Sequence, residues 1–71
     1  MTNKKKFEIA LLERGKTKSD IADLINCSLQ TIYNKINNVV DFKGREIIVI
    51  SEFLNLTKKE REAIFFAKQV D

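Results

Sequence analysis

From Thr17 to Asn38 the chain reads TKSDIADLINCSLQTIYNKINN. Two residues able to cap a helix, Thr17 and Ser28, each stand directly before a run with helical apolar spacing. Only Asn26 and Cys27 separate the end of the first run from the second cap. A connection that short leaves no room for a strand or a long loop. It brings two short helices against each other, which is a helix-turn-helix at 17–38.

The local chemistry agrees along this stretch. Thr17 followed by Asp20 makes a capping box, with Asp in place of the usual Glu. Ile21, Ala22, Leu24 and Ile25 supply a buried face, and Asn26 ends the helix because Asn tolerates the left-handed conformation. In the next helix, with Ile32 set at zero, Leu29 falls at about 60° and Ile36 at about 40°, an apolar stripe. Gln30 and Asn34 fall at about 160° and 200°, roughly opposite, with Thr31 and Tyr33 on the flanks.

The remaining segments also read as helix. The chain has no Pro and two Gly, Gly15 and Gly44, which suits short helices with economical connections rather than hairpins. Met1 to Lys6 is polar and reads as frayed. A helix is predicted from about Lys6 to Arg14, with Phe7, Ala10 and Leu11 on one face and Gly15 as its stop. Asn37 to Lys43 is a connection in which Val39, Val40 and Phe42 are too apolar to lie wholly in solvent. Ile47-Ile48-Val49-Ile50 has strand-like composition, but Ile47, Ile50 and Leu54 fit helical spacing and a lone strand has no partner. A helix over about Arg45–Leu54 follows. Thr57 and Glu60 then form a capping box for a last helix that carries Ile64, Phe65 and Ala67 and ends near Lys68. Residues 1–71 thus make one all-α domain of five helices, the last two at about 45–68.

Charge is unevenly spread. Residues 1–45 carry nine Lys/Arg against five Asp/Glu, and residues 46–71 carry four against five. A basic half and a neutral half suit one phosphate-facing surface and one packing or assembly surface. The single Cys27 cannot form an internal disulfide, and without His the chain has no metal set of the usual types. Cys27 reads as a small buried hydrophobe at the turn, not a reactive thiol. No nucleophile–base pair and no Gly-rich phosphate loop is present, so an enzyme, a cofactor and a small-molecule substrate are not expected. No apolar run reaches membrane-spanning length, and the basic N-terminus lacks a signal-peptide core, so a cytoplasmic protein is expected.

Gln30 and Asn34 are either bidentate readers of adenine or the solvated side of an amphipathic helix. Lys18, Lys35 and Lys43, with Lys4 to Lys6, are either phosphate-facing cations or ordinary surface lysines. Thr31 and Ser28 could also reach phosphate, with Ser28 better explained as a cap. Tyr33 is placed either to contact phosphate or a partner, or to be partly buried. Ile48, Val49 and Phe66 are left over once each helix has buried one face. They either complete the core or form an association surface, the latter favoured because so short a chain has little core to spare.

The skeleton of Thr17, Ile21-Ala22, Ile25, the turn at 26–27, Ser28, Ile32 and Asn37 resembles the Cro/C1-type (XRE) repressor family. The tail from Ile50 to Glu60, with Ile64-Phe65-Phe66-Ala67, resembles small Cro-like lysogeny-switch proteins of Gram-positive temperate phages, and the modulator-of-repression type of lactococcal phages in particular. The likeness covers about residues 6–67. It implies a five-helix bundle of lambda-repressor-like type, often dimeric, that binds operator DNA. It also implies that Lys18 sits at the phosphate backbone and that Leu29, Gln30, Thr31 and Asn34 face bases. Asn26 replaces the usual turn Gly, and Leu29 stands where many members carry a polar base reader.

Two functions follow as expectations. One is a transcription regulator that lays the helix after Ser28 in the major groove. The other is an antirepressor or modulator that meets the cognate phage repressor through the same surface, with Leu29, Gln30 and Tyr33 in the contact. Low net charge, the apolar Leu29 and the spare apolar residues motivate the second, which the modulator-of-repression likeness also favours, whereas general fold statistics favour the first.

Overall fold

The computed structural model describes residues 1–67. They form α1 (Lys4–Glu13), α2 (Lys18–Leu24), α3 (Leu29–Ile36), α4 (Gly44–Phe53) and α5 (Lys58–Phe65), and no strand is present among the described residues. The architecture is an all-α bundle. The β-branched run 47–50 is helical, with Ile47, Ile50 and Leu54 buried as their spacing requires. Of the last helix's expected end, Lys68 lies outside the described residues, and α5 itself stops at Phe65.

Starts and stops are built from local bonds. Thr17 and Thr57 accept from the N–H groups of Asp20 and Glu60, whose carboxylates accept in return from the cap N–H groups. Ser28 accepts from Thr31 N–H at 3.1 Å. Each of the first four helices ends on a left-handed residue: Gly15 (φ 65°), Asn26 (57°), Asn38 (64°) and Asn55 (54°). In all four the next N–H reaches back to a carbonyl three positions inside the helix end, as Cys27 does to Ala22 at 2.9 Å and Val39 to Asn34 at 2.8 Å. These are Schellman closures, which satisfy carbonyls the helix would otherwise leave open.

At the centre Phe7 of α1, Phe42 of the α3–α4 connection and Phe65 of α5 meet. Phe7 and Phe42 stack with centroids 5.7 Å apart, and Phe65 meets both edge-on at 5.6 and 5.3 Å. Ile21, Ile32, Ile36 and Ile50 complete the fully buried set. Phe42 is therefore the covered member of the connection, while Val39 and Val40 stay exposed.

The N-terminus is not frayed as its polarity suggests. Asn3 caps α1 and donates its N–H to Ile64 O at 2.7 Å. Thr2 is buried, and its backbone N–H and C=O are both held by the Asn38 side chain, at 2.8 and 3.0 Å. The segment thus ties α5 to the end of α3. Arg14 makes a second tie: its guanidinium donates to the Leu54 carbonyl and pairs with Glu60 at 2.9 Å. Polar side chains that close a fold through backbone carbonyls have no sequence periodicity to announce them.

Three glutamates carry these and similar links. The Thr57 N–H and the Arg14 guanidinium hold the Glu60 carboxyl below its ordinary value of about 4.5. The Lys18 hydrogen bond does the same for Glu8. For Glu46, burial pushes the carboxyl up, but the Lys43 N–H and the Lys35 ammonium outweigh it and the net direction is down. A carboxyl lowered in the folded state stabilises the fold above the unfolded pKa and loses that effect as pH falls through the folded value. Urea midpoints are therefore expected to hold near neutrality and to fall from about pH 4.5 downward, with Glu46→Gln flattening the fall. An unchanged midpoint at about pH 3 would contradict these links.

Candidate functional site

The face to consider is the outer side of α3. Ile32 and Ile36 anchor its inner side at the core. Ser28 fixes its start and Asn38 its end. Between these, Leu29, Tyr33, Asn37, Gln30 and Asn34 follow one another around the outer arc, from about 60° to about 200° on the helical wheel, all exposed but the half-buried Asn34. One edge of this arc is apolar and aromatic, and the other is amide.

On the amide edge, Gln30 Nε2 donates to Asn34 Oδ1 at 3.2 Å. The bond orders both side chains and leaves a carbonyl acceptor on Gln30 and an NH₂ donor on Asn34 for an outside group. Thr31 is half-buried, its hydroxyl 2.9 Å from that of Ser28. Ser28 is thus occupied as a cap. On the apolar edge Leu29 is 41% and Tyr33 40% exposed. Leu29 therefore does not join the buried stripe that its position on the wheel suggests. The buried arc instead runs from Ile36 through Ile32 to Lys35, which places Leu29 at the rim.

The cations are arranged differently from the expectation. Lys35 is not a surface lysine: it is 7% exposed, and its ammonium pairs with Glu46 at 2.9 Å and donates to the Asp41 carbonyl. It lies 5.7 Å from the centre of the Phe42 ring. Lys35 locks α3 to α4 and has no ammonium to offer a phosphate. Lys18 is half-buried at the start of α2, 2.6 Å from Glu8 Oε2 and 5.2 Å from the centre of the Tyr33 ring. It borders the outer face but is already paired. Lys4, Lys5, Lys6, Lys43 and Arg45 are exposed. Sequence reasoning missed Glu8 and Glu46 because each acts through a lysine distant in the chain.

Cys27 is partly buried against the core, and burial, with the nearby Glu46, pushes its thiol pKa up despite Lys35. A raised pKa keeps the thiol protonated and unreactive. Of the surplus apolar residues, Ile48 and Phe66 lie outside the core, more than half exposed. Val49 is half-buried in a hollow with Leu24 and Ile25 between α2 and α4. Among the described residues no helix is long and apolar enough to cross a membrane.

In comparisons with known proteins, no family model, no curated protein and no solved structure matches the chain.

Proposed function

We propose that this chain is a helix-turn-helix transcription regulator of a phage lytic/lysogenic switch, acting in the cytoplasm of a bacterial host. In this reading α2 and α3 form the motif and α3 lies in the major groove of operator DNA. The observation that carries it is the ordered amide pair of the exposed Gln30 and the half-buried Asn34, on a helix capped at both ends. With its side chains an α-helix is about 10–12 Å across, which suits the width of that groove. Gln30 and Asn34 would read bases, Thr31 would support them, and Lys18 with the exposed lysines of α1 would meet phosphates. Ile48 and Phe66 are free to bury against a second copy, as a dimeric regulator requires.

A second reading is favoured by one specific observation. Lys18 and Lys35 are both neutralised within the fold, and Leu29 and Tyr33 stand half open beside the amides. An uncharged face with an exposed aromatic suits a protein partner, and here that partner would be the cognate phage repressor.

A gel-shift titration on DNA beside the gene, across salt, with and without that repressor, separates the two. An operator binder shifts DNA alone with a steep salt dependence, and Gln30→Ala or Asn34→Ala loses about 1–3 kcal/mol of discrimination at a base pair. No shift alone, but a changed repressor shift on mixing, would establish the protein-binding reading. Operator discrimination unaltered by either substitution would remove the two amides as base readers.

A further inference from the structure

Glu8 of α1 has no role in the core or in any helix cap. Its carboxylate nonetheless makes the shorter of the two close links to Lys18, at 2.6 Å, against 5.2 Å to the centre of the Tyr33 ring. The Lys18 ammonium is thus held between an anion from α1 and an aromatic ring on the outer face of α3. A cation in the first turn of α2 opposes the helix dipole, and the Glu8 carboxylate offsets that cost by neutralising it. Lys4, one turn before Glu8, adds positive charge on the same side of α1. The arrangement is a cation at the rim of the outer face whose anionic partner is supplied by the protein itself.

We propose that Glu8 is a built-in competitor for phosphate, which occupies Lys18 in the free protein and so weakens binding of the α2–α3 face to any DNA backbone. This inference rests on the DNA-binding reading above. A phosphate that approaches Lys18 must displace the carboxylate or share the ammonium with it, and it is repelled by the carboxylate either way. Phosphate contacts carry no sequence information. The effect of Glu8 is therefore uniform across sequences: it lowers non-specific attachment and leaves base discrimination to α3. The Lys18 hydrogen bond lowers the Glu8 carboxyl from its ordinary value, so the carboxylate is charged at neutral pH.

The test uses the full chain and a mixed-sequence DNA duplex, titrated by fluorescence anisotropy at several salt concentrations. Glu8→Gln keeps the size of the side chain and removes its charge. It is expected to tighten binding about three- to tenfold at low salt and to steepen the log–log salt slope by about one. Adding Lys18→Ala to Glu8→Gln is expected to abolish the gain. Glu13→Gln makes the same charge change on α1 at the groove toward α5, and it is expected to give a much smaller gain.

Duplex binding by the native chain that Glu8→Gln leaves unchanged would overturn the role of Glu8 alone. An equal gain from Glu13→Gln would also overturn it, since bulk charge would then be the cause. No binding by the native chain or any variant would bring down the DNA-binding reading, and this inference with it. Native-like far-UV circular dichroism with a cooperative melt confirms that the variants are folded.

Discussion

Phe7→Ala is expected to leave the domain largely unfolded at room temperature. Phe7 is completely buried and touches both other rings of the central trio. Truncating a buried Phe costs about 3–5 kcal/mol through lost transfer energy and the cavity left behind. A domain of this size has about that much stability in total. Collapse around the gap is hindered because the three rings come from three separate parts of the chain, and a shift that fills one contact opens another. Far-UV circular dichroism on heating checks this. A cooperative melt within about 10 °C of the native midpoint would show that Phe7 is not the hub of the core.

Lys35→Ala is expected to cost about 3 kcal/mol, far above the usual effect of replacing a lysine on a helix. Both members of the Lys35–Glu46 pair are well shielded from solvent, with side-chain exposures of 8% and 18%. Removing the ammonium leaves the Glu46 carboxylate in a poorly solvated place, still accepting from the Lys43 N–H at 2.9 Å. It also opens the Asp41 carbonyl and removes the cation from over the Phe42 ring. The double variant Lys35→Ala/Glu46→Ala is expected to lose less than the sum of the two singles, because it strands no charge. Urea denaturation of the four proteins measures the coupling. Additive losses would mean that the pair is only a surface contact.

These two residues mark where sequence reading reaches and where it stops. Thr17 with Asp20, Ser28, and Thr57 with Glu60 act on N–H groups three residues away, so a short window contains both donor and acceptor. Ile47, Ile50 and Leu54 are likewise readable, because one helix face carries all three. Asn38 and Asn55 stop helices as Asn26 does, but without an abrupt change of pattern beside them they gave little signal. Lys35 falls at about 300° on the wheel, as near to Ile32 as Leu29 is on the other side. Which of the two goes inward depends on Glu46 and Phe42, and nothing within α3 states where those lie. The same holds for the outer face: the amides of Gln30 and Asn34 could be placed from helical spacing, whereas the pairing of Lys18 depended on Glu8, on a different helix.

The paired start and stop of α3 have a consequence for how such a protein can diverge. Its ends are set by Ser28 and Asn38, and its seat in the bundle by Ile32, Lys35 and Ile36. None of these five belongs to the outer arc. Leu29, Gln30, Asn34 and Asn37 can therefore be exchanged with little effect on where the helix begins, ends or docks, whereas Tyr33 also meets Lys18 of α2. Selection can rewrite that surface one position at a time, drifting from one target to another through intermediates that all remain folded.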